Sequence, residues 1–174
     1  MKLVIMSDSH LNNDLIQNII NHHQDATYYI HCGDAQALIK HERLLIVKGN
    51  NDFQDYPQTI TLNIEGKNVL ITHGHLFNVD TSLALLTSYA KEHHIDLVCF
   101  GHTHQPCFET IDHITFINPG SVRFPEGRIY IPTYCIYENN QCDFYNAKTF
   151  EKIDHIFTPK KKISLFQKLF KNKS

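Results

Sequence analysis

Lys2-Leu3-Val4-Ile5-Met6-Ser7-Asp8-Ser9-His10 is an apolar run of strand length that breaks into a polar cluster, and Leu15, Ile16, Ile19 and Ile20 follow it at helical spacing. It reads as strand, loop, helix. Tyr28 to Cys32 repeats the theme, ending at Gly33-Asp34 before a short helical segment through Ala37 and Leu38. Arg43 to Val47 then runs into the turn cluster Gly49-Asn50-Asn51-Asp52. Three strands alternating with helical segments predict βαβ units and a parallel sheet.

From Thr59 the pattern becomes alternation. Ile60, Leu62 and Ile64 share a face, Gly66-Lys67 turns the chain, and Val69 to Thr72 leads into His73-Gly74-His75. Leu83, Leu86 and Ala90 mark a helix within 80–93, and Leu97 to Phe100 is a further buried strand ending at Gly101-His102-Thr103-His104. Short β segments fill the rest to about Phe157, with a hairpin turning at Asn139-Asn140. No internal repeat and no linker precede Pro159, so the expectation is one domain over 1–159, a two-sheet α/β sandwich, with a basic tail over 160–174.

Composition bounds the class. At 174 residues and 42% hydrophobic the chain can bury a core without staples, and its longest apolar runs fall far short of a bilayer span. The N-terminus enters a strand at once, with no signal core behind it, and a cytoplasmic location is expected. Five cysteines with no CxxC pair fit neither a disulfide framework nor a thiolate zinc site, and read as reduced, mostly buried thiols. Residues 160–174 hold six lysines and no acid, which against a whole-chain net of -2 leaves -8 on residues 1–159. A body of that charge is a poor sequence-independent binder of long nucleic acids.

Five polar clusters stand at the carboxyl ends of five expected strands: Asp8/His10, Asp34, Asn50/Asp52, His73/His75 and His102/His104. Open α/β sheets bind ligands at that edge. The donors are imidazole nitrogen, carboxylate oxygen and one carboxamide oxygen, which suit a borderline-to-hard divalent ion better than a structural zinc. Each cluster alone has a plainer reading: Asp8 and Asp34 as helix N-caps, Gly49 to Asp52 as an ordinary turn, the histidine pairs as side chains pointing into water. Their coincidence at one edge is the signal.

Taken in order, Asp8-Ser9-His10, Gly33-Asp34, Gly49-Asn50, His73-Gly74-His75 and Gly101-His102-Thr103-His104 resemble the motif set of the calcineurin-like metallophosphoesterases. The Ile117-Asn118-Pro119-Gly120-Ser121 segment and the short chain are most similar to the small bacterial and archaeal phosphodiesterases of the YfcE type. The resemblance implies an α/β/β/α sandwich and two divalent metal ions, with manganese expected and nickel, iron(II) or zinc as alternatives. By resemblance Asp8, His10 and His104 hold the first ion, Asn50, His73 and His102 the second, and Asp34 bridges both. Two dications against two carboxylates leave net positive charge for a phosphate, and a hydroxide shared between the ions would attack phosphorus.

The resemblance also shows a departure. Many relatives place a histidine after the metal-binding asparagine, where it can act as general acid; here Asn51 stands there, as a similar change does in the YfcE-type relatives. A carboxamide does not donate a proton at neutral pH, so weaker action on poor leaving groups is expected unless His75 or a metal-bound water substitutes. Asp52 either orients His73, His102 or His104 or is a turn residue, and His75 either contacts substrate or supports a ligand. Ser121 and Arg123, near the Asn-Pro-Gly-Ser turn, are candidate substrate-binding residues, Arg123 as a phosphate clamp or a plain exposed arginine.

Histidines 22, 23, 31, 41, 93, 94, 113 and 155 are assigned no site; His22-His23 and His93-His94 fall at expected helix C-termini. The tail spaces Ile163, Phe166 and Phe170 as a basic amphipathic stripe that can contact an anionic membrane or a protein partner, or simply pack on its own domain. The expected activity is a metal-dependent phosphodiesterase acting on a small phosphoester. The alternatives are a phosphomonoesterase or nuclease of the same superfamily, and a protein-binding scaffold resembling the retromer subunit that shares this fold.

Overall fold

The computed structural model describes residues 1–127 and 130–154. The proposed tail at 160–174, and His155, lie outside the described residues. Two five-stranded sheets form from β1 (Lys2–Met6), β2 (Tyr28–His31), β3 (Leu44–Ile46), β4 (Thr59–Ile64), β5 (Lys67–Thr72), β6 (Leu97–Cys99), β7 (Pro106–Ile111), β8 (Ile114–Pro119), β9 (Thr133–Glu138) and β10 (Gln141–Asn146). The first runs β10-β9-β1-β2-β3 and the second β4-β5-β6-β8-β7. Within them β1, β2 and β3 are parallel, as are β5, β6 and β8, and β9, β10, β4 and β7 pair antiparallel to their neighbours.

The period-2 alternation of each strand builds the layers. Leu3, Ile5, Ile30, Val69, Ile71, Leu97, Cys99, Ile117 and Cys135 face the space between the sheets, where they form one buried cluster. Their neighbours in sequence face outward. Val4, Met6, Tyr29, Tyr134 and Ile136 meet Leu15, Ile16, Ile19 and Ile20 of α1 (Asn13–His22). Leu70, Val98, Phe100 and Phe116 meet Leu86 and Ala90 of α2 (Ala84–Glu92). Both strand faces are covered, which is why these strands read as continuous apolar runs. The result is the expected α/β/β/α sandwich.

The five cysteines are free, and burial raises the thiols of Cys32, Cys99 and Cys135, as suits inert core residues. Among the described residues, no helix is long and apolar enough to cross a membrane.

Three local expectations change. The segment after β2 is not helical: Gln36 has a left-handed φ of 57°, and Tyr56 replaces the helical ladder by accepting the Ile39 amide at 3.0 Å and donating to the Ala37 carbonyl at 2.9 Å. The β4–β5 turn sits at Glu65-Gly66, one residue earlier than expected, where both residues have positive φ as a tight hairpin of this twist requires. The helix in 80–93 begins at Ala84. Asn139-Asn140 turns the β9–β10 hairpin with both φ values positive.

Two buried histidines support the sheet. His31 accepts the Gly33 amide on Nδ1 at 3.2 Å, so its proton sits on Nε2, 3.0 Å from the Ser9 hydroxyl. His23 lies 2.7 Å from the Tyr134 hydroxyl. Burial lowers both to about 4. Unfolded imidazoles take up protons near 6.5, so between 6.5 and about 4 the unfolded chain binds more protons, and stability is complete above that window and lost as pH falls through it. Urea midpoints measured from pH 7.5 to 4.5 should therefore fall, with His31 alone contributing about 2 kcal/mol, and His23→Gln should flatten part of the decline.

Candidate metal centre

The carboxyl ends of β1, β2, β3, β5 and β6 meet at one edge, and each delivers a polar loop there. Asp8, His10, Asp34, His102 and His104 all adopt positive φ, at 55°, 42°, 56°, 71° and 54°. Non-glycine residues pay for that conformation, and such strain collects where side chains must be aimed. Backbone bonds hold it: the Asp8 amide donates to the Gly33 carbonyl and the His10 amide to that of Asp34, both at 3.0 Å. Two glycines permit the close approach. A Cβ on Gly49 would collide with the Asp34 carboxylate, and one on Gly101 with the Ser7 hydroxyl beside Asp8.

Asp8, Asp34 and His73 are almost wholly buried. Asp8 Oδ1 lies 3.2 Å from His104 Nε2 and 3.9 Å from His73 Nε2, and Asp34 Oδ2 lies 3.6 Å from His73 Nε2. His73 Nδ1 bonds the Cys32 carbonyl and His104 Nδ1 the Phe124 carbonyl, each at 2.7 Å. A carbonyl only accepts, so both Nδ1 atoms carry the proton, and each ring in its neutral form turns a lone pair on Nε2 inward. Asn50 Oδ1 stands 3.1 Å from His73 Nε2. Asp8 Oδ1 and His10 Nε2 are buried without a hydrogen-bond partner. Lone pairs aimed at one another need a cation or a proton between them.

Without a metal, a proton fills that role. Burial pushes Asp8 up and His104 down, but the close approach of the two groups, with His73 adding its charge beside Asp8, outweighs it, holding Asp8 below its usual range and lifting His104 to about 9. Two sets of ligand atoms lie within 4.8 Å of one another: Asp8, His10 and His104, and Asp8, Asp34 and His73. Oxygen and imidazole donors without thiolate fit a divalent ion. The structure makes Asp8 the member common to both sets. Asp34 accepts the Asn51 amide at 2.8 Å and its carboxamide at 2.5 Å. His102 lies outside both sets; its ring is 5.1 Å from that of His73, and its Nε2 is 2.7 Å from Asp80 Oδ2.

Asp52 and Ser121 are placed differently from their expected roles, whereas Arg123 and His75 fall within theirs. Asp52 orients no imidazole: its carboxylate accepts the amides of Asp34, Gly49 and Gln36 at 2.8, 2.7 and 2.5 Å, clamping the two loops that carry Asp34 and Asn50. Ser121 is fully buried and donates to the Asp8 carbonyl at 3.0 Å while accepting the Arg123 and Phe124 amides, so it shapes the site and does not face substrate. Asn51 points at Asp34, which orients that carboxylate. Arg123 is exposed, donates to the His10 carbonyl, and lies over the Phe124 ring. His75 sits 5.4 Å from His73 and 6.2 Å from His102, ring to ring, with Nδ1 unpartnered; burial, then the neighbouring imidazoles, lowers its pKa.

The helix-cap reading of Asp8 and Asp34 falls, because α1 starts from Asn12 and no helix follows Asp34. Sequence reasoning missed Asn118, quoted only for resemblance, whose carboxamide donates to the Gly101 carbonyl at 2.8 Å and Thr103 at 3.1 Å and thereby holds the His102–His104 loop. It also missed Asp80, for which no nearby motif gave a signal.

Comparison with known proteins identifies relatives of the whole domain. Residues 1–141 match the calcineurin-like phosphoesterase superfamily domain. The chain is 36% identical over 133 residues to the probable metallophosphoesterase YsnB of Bacillus subtilis, covering 74% of this chain and 79% of that one. It is 32% identical over 147 residues to a phosphodiesterase of Methanocaldococcus jannaschii, covering 69% and 83%. A conserved Streptococcus pneumoniae protein predicted to be a phosphoesterase superposes with a TM-score of 0.82 at 26% identity, over 88% and 93% of the two chains. Vps29 of Entamoeba histolytica, complexed with zinc, shares the fold at a TM-score of 0.67 and 17% identity, over 88% and 96%.

Asp52→Ala strands buried amides from two loops. It should destabilise the protein by about 3 kcal/mol or more and weaken metal retention, read by thermal unfolding and metal analysis of the same samples.

Proposed function

The chain belongs to the calcineurin-like phosphoesterase superfamily, and from that footing we propose that it is a phosphodiesterase dependent on two divalent ions, manganese first among them. The supporting observation is the convergence of Asp8, Asp34, His73, His104 and Asn50 with lone pairs facing one another across 3.1 to 3.9 Å. In this reading Asp8, His10 and His104 would hold one ion and Asn50, His73 and His102 the other, with Asp34, steadied by Asn51, available to both. The bound ions would supply Lewis-acid charge and make hydroxide available at neutral pH for attack on phosphorus.

The chain's own residues set the rest. Because five of the seven ligands are neutral and only two are carboxylates, two bound dications would keep a net positive charge there, which would attract phosphoryl oxygens and oppose the charge that builds on them. Buried Ser121 and Asp52 keep the ligands in place before substrate arrives, so little reorganisation is needed. Arg123, pinned to the His10 carbonyl but exposed, is placed to meet a phosphoryl oxygen from the rim. His75 packs against His73 and His102, ring to ring at 5.4 and 6.2 Å, with its Nδ1 buried, which favours support of those two ligands over contact with the ester.

Asn51 is committed to Asp34 and releases no proton, so leaving-group ability should govern the rate. Metal-stripped protein should not hydrolyse bis(4-nitrophenyl) phosphate, and manganese should restore turnover; absence of metal-dependent hydrolysis would refute the proposal. Asp8→Asn should lower the restored rate on the order of 10²-fold or more. Across a series of diesters the rate should drop steeply from aryl to alkyl leaving groups, and a flat series would reveal a protein proton donor.

A further inference from the structure

We propose that Asp80 is a positioning residue: its carboxylate fixes His102 in the tautomer that offers Nδ1, not Nε2, to the metal centre. The proposal rests on the two-ion reading above, and it concerns a residue that no motif includes. His102 Nε2 and Asp80 Oδ2 are 2.7 Å apart. An ionised carboxylate only accepts, so the imidazole proton sits on Nε2 and the lone pair falls on Nδ1.

That assignment sets His102 apart from the other two histidines with a defined outer partner. His73 and His104 each spend Nδ1–H on a neutral backbone carbonyl and present Nε2. His102 spends Nε2–H on a charged group and presents Nδ1. Its place beside the centre is fixed by its neighbours: the amide donates to Asp8 Oδ2 at 3.3 Å, and the ring stands 5.1 Å from that of His73. A carboxylate behind a ligating imidazole raises its donor strength as well as fixing its orientation, and removing such a partner commonly costs 10- to 100-fold in metal affinity.

The turn that carries Asp80 is built to hold it there. Val79 is buried in the cluster beneath α2, and the Thr81 amide donates to the Asn78 carbonyl at 3.1 Å, so the chain is anchored on both sides of Asp80. Asp80 itself has 58% of its side chain exposed. An ion pair that open to water contributes little to folding. Loss of Asp80 should therefore be felt at the metal centre and not in the stability of the fold.

The test uses the full chain, stripped of metal, as wild type, Asp80→Asn and Asp80→Ala. Long-range proton–nitrogen spectra of the metal-free protein should show His102 protonated on Nε2 in the wild type and a mixture of tautomers in Asp80→Ala. Calorimetric titration with manganese should show one of two sites weakened about 10- to 100-fold in Asp80→Ala, the other unchanged, and the metal-free unfolding temperature unmoved. Asp80→Asn, which keeps an acceptor but not the charge, should fall between. A wild-type His102 protonated on Nδ1, or unchanged or tightened manganese binding in Asp80→Ala, would overturn the assignment. A wild type that binds no manganese would instead refute the two-ion reading, and the tautomer spectra would still judge Asp80.

Discussion

The structure turns on a buried carboxylate that faces lone pairs. Asp8 has no solvent exposure, yet its Oδ1 looks toward imidazole nitrogens on two other loops. Removing a carboxylate from water costs several kcal/mol unless a positive charge replaces the lost hydration. In the metal-free protein the neighbouring His104 and His73 hold Asp8 below its usual range, and a divalent ion meets the need better, because it engages several donors at once. The sandwich serves this arrangement: stacking two sheets with parallel centres brings the carboxyl ends of five strands to one place.

Around that centre the residues divide into those that offer lone pairs and those that hold backbone. Asp52, Ser121 and Asn118 are polar, buried and close to the ligands, and each of them binds main-chain groups of ligand-bearing loops. Their work explains how Asp8, Asp34, His102 and His104 persist in left-handed conformations. Gly49 and Gly101 complete the arrangement by leaving room where a methyl group would strike a carboxylate or the serine beside it.

The continuous apolar runs at Leu3 to Met6 and Val69 to Ile71 made strands covered on both faces legible, and the strand's period of two sends alternate side chains to the inter-sheet core and to a helix. The meeting of Asp8, Asp34, His73 and His104 at one edge was legible as well, because each follows an expected strand at its carboxyl end. The clamps were not. Asp52 and Ser121 look like ligands or substrate contacts in a linear reading, and only hydrogen-bond partners 16 to 113 positions distant reveal their roles. The segment after Asp34 has the composition of a short helix, but Tyr56, far along the chain, takes its backbone groups. Asp80 reaches His102 across 22 positions and a turn, a contact that spacing does not announce.

The most direct measurement is anomalous diffraction from crystals soaked in manganese. Two peaks are expected, one touching Asp8, His10 and His104, the other touching Asn50, His73 and His102, with Asp34 between them. No bound ion at this edge, or ions held by other residues, would contradict the proposed centre.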